Sequence, residues 1–151
     1  MSAVTRLSVV EKPVQKAWVL VTPEAIDSIW ELVKPGIENA LATSNGEGTA
    51  EDTRLGLVAG RTRLMMLWKD GASLGIVFMF LNFPRFKIAR VLLLFGENMR
   101  LLVDGMNAAE TWAKEQGCKL IEGWVATESR QRLFSLYGYK PTYTILRKAL
   151  T

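Results

Sequence analysis

Between residues 90 and 139 the chain reads strand, helix, strand, helix, with a glycine at each reversal, and this run narrows the available folds more than any other feature. In residues 90–95 the apolar side chains Val91, Leu92, Leu93, Leu94 and Phe95 follow one another without alternation, as in a strand covered on both faces. Gly96 breaks the run. From Asn98 onward, Met99, Leu102, Val103, Met106, Ala109 and Ala113 recur at three- and four-residue steps and line one face of an amphipathic helix. Gly117 stands where a left-handed residue closes a helix, and residues 120–125 are apolar enough for a second buried strand. The spacing therefore predicts a parallel, right-handed strand-helix-strand crossover. Residues 127–136 form a further short helix stopped by Gly138.

At 151 residues the chain is long enough for one domain with a true core, and 49% hydrophobic with 23% charged residues excludes a disordered chain. The net charge of +4 is mild, and its basic residues, Arg6, Lys12 and Lys148 among them, are scattered. They read as a solvated surface rather than a nucleic-acid face. There is no histidine, which removes Ser-His and Cys-His nucleophile pairs and histidine-bearing zinc sites, so no metal is expected. Proton transfer falls to glutamate, aspartate, tyrosine or water. The single cysteine, Cys118, excludes an internal disulfide, fits a reducing compartment, and reads as a buried, inert thiol at a strand start. Residues 1–12 lack the pattern of a signal peptide, and residues 74–81 are too short to span a bilayer, so no membrane role is expected and a cytoplasmic location is.

Residues 1–13 read as an N-terminal arm or edge strand ahead of a domain of residues 14–151. Residues 18–21 form a first strand. Thr22 and Pro23 open a helix whose stripe is Ile26, Ile29, Trp30 and Val33, with a break or kink at Pro35-Gly36. Residues 43–49 are a loop in which Glu47, and the lack of a following lysine, argue against a phosphate cradle. Thr49, Glu51 and Asp52 begin another helix with Leu55, Val58 and Ala59 inward and Gly60 closing it. Residues 63–68 and 74–81 are strands joined by the turn Lys69-Asp70-Gly71, and the turn at residues 82–85 makes a second antiparallel hairpin with the strand ending at Phe95. A last strand is expected at residues 143–147, with Tyr143, Ile145 and Arg147 on one face. The fold class is α/β (α+β): a mixed, mostly antiparallel sheet flanked by helices in a single domain.

The element order, with AKEQGCKLIEGWV followed by RQRLFSLYGYKPTYTILRKAL, resembles the GCN5-related N-acetyltransferases. The string LFSLYGY, residues 133–139, corresponds to that family's leucine-tyrosine, three residues, glycine-phenylalanine. The segments TAEDTRLGLVAG and RLMMLWKDG look like the middle of small members encoded by tailed bacteriophages. The resemblance covers roughly residues 50–150 and lies mostly in element order and spacing.

What the resemblance implies is an acetyl-CoA cleft where two neighbouring parallel strands part. The pantetheine arm pairs there with backbone, and the pyrophosphate meets amides at the following helix start. Carried onto this chain, the cofactor-binding residues are Leu94, Phe95, Gly96, Asn98, Met99 and Arg100. A tyrosine of the late helix protonates the leaving thiolate and a glutamate or water takes the amine proton, which makes Tyr137 and Glu122 the catalytic candidates, with Glu128 a second carboxylate. Two departures stand. The family's glycine-rich phosphate loop is reduced to Gly96 in GENMRLL, where Glu97 sets negative charge at the helix start, so the segment reads either as an ordinary cap or as a thinned phosphate site. At the place of the family's tyrosine stands Phe134, which has no proton to give. Two functions follow: an N-acetyltransferase acting on an amine of a protein or small molecule, or a non-catalytic phage structural or virion-associated protein that keeps the fold. The latter would meet other phage or host proteins, in the host cytoplasm or the virion.

Overall fold

A computed structural model describes residues 12–15, 18–43, 46–69 and 72–151. The strands are β1 (Lys12–Gln15), β2 (Trp18–Val21), β3 (Arg63–Lys69), β4 (Ala72–Asn82), β5 (Lys87–Phe95) and β6 (Cys118–Gly123). The helices are α1 (Ile26–Leu41), α2 (Ala50–Val58), α3 (Met99–Glu115) and α4 (Glu128–Ser135), with a 3-10 turn at Pro23–Ala25. The strands form one sheet in sequence order, antiparallel at every step except β5 with β6, which are parallel. This is the mixed, helix-flanked sheet that the element order predicts. Lys12–Gln15 pairs with β2 as an edge strand; residues 1–11, the rest of the expected arm, lie outside the described residues, as do Asp70 and Gly71 of the expected turn.

Alternation along the strands builds two cores, one on each face. Met65 and Met66 are both fully buried, yet Met65 packs with Trp18, Phe78 and Trp112 beneath α3, whereas Met66 packs with Trp30, Val33 and Leu64 beneath α1. Successive side chains of a strand point to opposite faces, so this pair marks a strand covered on both sides.

α1 runs unbroken through Pro35, contrary to the expected break. Proline in a helix interior costs about 3 kcal/mol, but burying Ile26, Ile29, Trp30, Val33 and Ile37 on the sheet returns about 1.5–3 kcal/mol for each side chain, and Pro35 itself faces solvent. Thr22 opens the helix through its carbonyl, which accepts from Ala25 N at 3.0 Å, rather than through a hydroxyl cap. In α2 the Thr49–Asp52 capping box forms and Gly60 ends the helix at a positive φ of 75°, but the inward residues are Gly56 and Leu57 while Leu55 and Val58 are exposed. The cause is close approach: a β-carbon at Gly56 would lie 3.1 Å from Thr62 Oγ1, so the glycine marks the contact face.

Two expectations at the far end fail. β6 spans Cys118–Gly123 rather than residues 120–125, and Leu120, Trp124 and Val125 are exposed, because β6 is the edge of the sheet among the described residues and the chain leaves it at Gly123. Residues 143–147 form no strand; residues 140–151 are exposed and belong to no helix or strand. Alternation makes a segment fit to be a strand, but a strand forms only where an edge receives it.

Candidate active site

β5 and β6 do not stay together along their length. Their register runs from Lys87↔Cys118 to Val91↔Gly123, after which β6 ends while β5 continues to Phe95. Among the described residues, 92–95 therefore have β4 on one side and no strand on the other, a fork about 13 Å deep at 3.3 Å per residue. On the β4 side the register passes from Val77↔Leu93 to Phe78↔Val91, which leaves Leu92 as an extra, exposed residue. A bulge of this kind bends its strand and increases its twist, and it lies one residue past the last β5–β6 pair.

At the mouth of the fork, Gly96 adopts φ 121°. A β-carbon there would fall 2.2 Å from Leu74 Cδ2, so only glycine permits the turn from β5 into α3. Asn98 caps α3: its side chain accepts from Leu101 N at 3.2 Å, and its carbonyl accepts the first backbone bond from Leu102 N at 3.0 Å. The expected alternative of a Glu97 cap is thus replaced by Asn98, because the side chain that reaches the N3 amide must stand at the N-cap itself. The amides of Met99 and Arg100 precede the first intrahelical bond and have no acceptor within the helix. The first turn carries no acidic residue; Glu97 lies just before the cap and Arg100 is exposed within the turn. Leu94 is half-buried against the α3 core, and the Phe95 ring is buried in the α1 core, so what these two residues offer the fork is backbone.

Glu122 sits beside the fork, one pair below its base, in register with Arg90. Arg90 donates to Glu122 Oε1 from Nη2 at 3.0 Å and from Nε at 3.3 Å, and its guanidinium lies 5.2 Å from the Trp124 ring. The carboxylate expected as a base is therefore committed to a cation. Tyr137 lies beyond the end of α4 and is half-exposed. Phe134, at the family's tyrosine position, is buried in the α3 core edge-on to Tyr139, with ring centroids 5.6 Å apart. Glu128 and Arg132 are exposed and 4.0 Å apart, a solvated pair.

Sequence reasoning missed two members of this region. Arg90 could be assigned to Glu122 only from the strand register. Tyr139 donates its hydroxyl to Glu110 Oε2 of α3 at 2.7 Å, tying the chain after α4 to α3. Burial pushes the Tyr139 hydroxyl well above the usual tyrosine range, and the hydrogen bond to Glu110 and its charge push it further. It is thus a poor proton donor despite standing beside Phe134. Cys118 is half-buried, and burial likewise raises its thiol, an effect that the nearby Lys87 opposes. Among the described residues no three His, Cys, Asp or Glu side chains gather as a metal site, and no helix is long and apolar enough to cross a membrane.

No protein-family profile and no curated protein matches the chain. Solved structures do match its fold. A probable acetyltransferase superposes with a TM-score of 0.67 at 12% identity, over 90% of this chain and 97% of that one. The aminoglycoside N-acetyltransferase AAC(6')-Iy, crystallised in complex with CoA, gives 0.67 at 10% identity, over 88% and 93%. The ribosomal-protein-alanine N-acetyltransferase of Brucella melitensis biovar Abortus 2308 gives 0.63 at 9% identity, over 88% and 99%. At such identities the likeness establishes a shared fold, that of GCN5-related acetyltransferases.

Proposed function

We propose that the chain binds acetyl-CoA in the fork between β5 and β6 and transfers its acetyl group to an amine of a small molecule or protein, in the cytoplasm. The observation that carries this reading is the run of residues 92–95 past the last β6 pair, ending on Gly96 at the N-terminus of α3. The bare side of β5 offers alternating N–H and C=O groups to an extended ligand, as a sheet edge does to an added strand, and the amide-bearing pantetheine arm suits it. The amides of Met99 and Arg100, with the Arg100 guanidinium, would face a pyrophosphate, while Glu97 opposes it. The amine lone pair adds to the thioester carbonyl carbon. The C–S bond then breaks as the carbonyl re-forms, the thiolate takes up a proton, and the nitrogen gives one up. Tyr137 is the candidate donor; Glu122, once released from Arg90, or water is the candidate acceptor. That one protein sharing the fold was crystallised with CoA supports the ligand, and the aminoglycoside and ribosomal-protein-alanine acetyltransferases support an amine acceptor.

A second reading, a non-catalytic protein that keeps the fold, as in a phage virion, rests on the chemistry of three side chains. Phe134 has no hydroxyl, the Tyr139 hydroxyl is bound to Glu110, and Glu122 is held by Arg90. Its bacteriophage element rests on the sequence resemblance alone. Titrating acetyl-CoA while following melting temperature and the fluorescence of exposed Trp124 separates ligand from no ligand. A ligand at a hundredfold excess over its Kd adds about 2.7 kcal/mol. No shift at millimolar acetyl-CoA would remove the cofactor and leave the second reading.

A further inference from the structure

Basic residues that lie apart in the sequence are gathered by the fold at the end of the sheet away from the fork. The turn of the β4–β5 hairpin meets the C-terminus of α3 and the start of β6 there, because Lys87 is in register with Cys118 and its Nζ donates to Gln116 O at 3.1 Å. Residues 83–87 and 114–119 carry Arg85, Lys87, Lys114 and Lys119 against a single carboxylate, Glu115. Arg85, Lys114 and Lys119 are exposed, and among the described residues none of the three forms an ion pair. The turn itself lacks the small polar residues that turns favour. Phe83 N donates to Phe86 O at 2.8 Å, and the two rings meet edge-on with centroids 5.7 Å apart. Closing the turn accounts for that contact, yet Phe83 stays 43% exposed beside an exposed Pro84. The tip also projects. β3 pairs with β4 no further than Arg63↔Phe78, so among the described residues 79–82 have no strand on that side and carry the turn about 13 Å past β3. Phe80 rests on Trp112, ring centroids 5.1 Å apart, and fixes the hairpin to α3.

We propose that this end of the molecule docks on an anionic lipid bilayer, the Phe83 ring entering the headgroup layer and the basic side chains around it meeting acidic headgroups. Charge and shape together select a bilayer over a nucleic acid. A projecting tip offers no groove for a strand to lie in, and its two rings are turned edge to face on each other rather than set out as a platform for bases. A bilayer interface instead receives aromatic rings at headgroup depth and attracts clustered lysine and arginine. The expectation of no membrane role concerns a spanning segment and a signal peptide, and a peripheral contact needs neither. Docking uses no residue of the fork. β5 runs about 26 Å from Lys87 to Phe95, so the fork mouth faces away from the bilayer and stays open.

The test is co-sedimentation of the full chain with vesicles of phosphatidylcholine, with and without one quarter phosphatidylserine, and a random-sequence DNA duplex serves as the competing polyanion. Each basic residue near an anionic surface is worth about fivefold in partitioning. The wild type should sediment with the phosphatidylserine vesicles at millimolar lipid, at least about tenfold more strongly than with phosphatidylcholine alone, and about 0.5 M salt should release it. The double variant Arg85→Gln/Lys119→Gln should bind about 25-fold more weakly. Phe83→Ser should lose about fivefold, from the part of the ring now open to solvent. Both variants change exposed residues and should keep the wild-type circular dichroism. Absence of binding, equal binding to both kinds of vesicle, binding indifferent to the variants, or capture by the duplex that Phe83→Ser leaves unchanged would overturn the docking.

Discussion

Gly75→Ala tests whether the end of β5 is held by a slot shaped for one ring. Phe95 is the register partner of Gly75 and is almost wholly buried. A β-carbon on residue 75 would fall 2.1 Å from Phe95 Cζ and 2.4 Å from Cε1, more than an ångström inside the ordinary carbon contact of about 3.5–4.0 Å. The ring has no retreat toward α1, because a β-carbon on Gly36 would stand 2.7 Å from its Cδ2, so the helix backbone already lies close on that side. Either β4 or α1 must shift. Overpacking of this kind costs about 1–3 kcal/mol, and a ring confined on both sides belongs at the upper end. At about 2–4 °C per kcal/mol for a domain of this size, Tm should fall by about 6–12 °C. Gly36→Ala should cost less, since its clash is shallower and alanine returns about 1 kcal/mol of helix propensity. Phe95→Leu should relieve the Gly75→Ala clash, so that the double variant is more stable than the sum of the singles by at least about 1 kcal/mol in urea denaturation. A Gly75→Ala protein within about 0.5 kcal/mol of wild type, or strictly additive effects, would refute the slot.

Arg100→Glu should weaken acetyl-CoA at least about tenfold by isothermal titration, because it turns an attracting charge at the helix start into a repelling one; unchanged affinity would take Arg100 out of the site. If the chain turns over, Tyr137→Phe and Glu122→Gln should lower kcat more than they raise KM, and wild-type kcat in either variant would end that residue's role as acid or base. Tyr139→Phe should cost about 1–2 kcal/mol at neutral pH by loss of the Glu110 bond. Its pH dependence has a definite sign. The folded state holds the Tyr139 proton more tightly than the unfolded state, whose value is 10.0, so this contribution is intact below pH 10.0 and declines above it. The wild-type advantage over Tyr139→Phe, followed by denaturation from neutral to alkaline pH, should therefore narrow above that point, and a gap that widens there would contradict it.

The crossover and the two hairpins were legible because period and glycine placement are local signals: the α3 stripe of Leu102, Val103, Met106, Ala109 and Ala113 is buried as read. What failed depends on partners. Trp124 and Val125 are as apolar as the residues before them, but the last β6 pair is at Gly123, and no local signal marks where a neighbour stops. Residues 143–147 carry strand-forming residues and pair with no strand among the described residues. Pro35 was read by its own cost, whereas five buried side chains elsewhere on α1 decide the outcome. Gly56 has no apolar side chain to mark it in the sequence, and it is the contact point of α2. At the site, the glycine at residue 96 and the helix start were legible, but the Arg90 clasp on Glu122 required the register, and the Tyr139 bond required the packing of α4 on α3.

The fork and the reaction it would serve have separate physical causes. The opening follows from the Leu92 bulge, the end of β6 pairing at Gly123, and a turn at Gly96 fixed by Leu74, with Phe95 wedged between β4 and α1. None of these uses a proton-transfer group. Proton transfer would rest on side chains outside that set: Phe134, on α4 itself, fills its place in the α3-side core as an apolar ring, and there a buried hydroxyl would require a partner of its own. The features that open the fork therefore do not depend on the presence of a proton donor. Binding and turnover are accordingly independent questions here. A protein that took up acetyl-CoA without acetylating anything would be consistent with every contact that holds the fork apart, so the cofactor titration bears on the fork alone and the kcat variants on the chemistry.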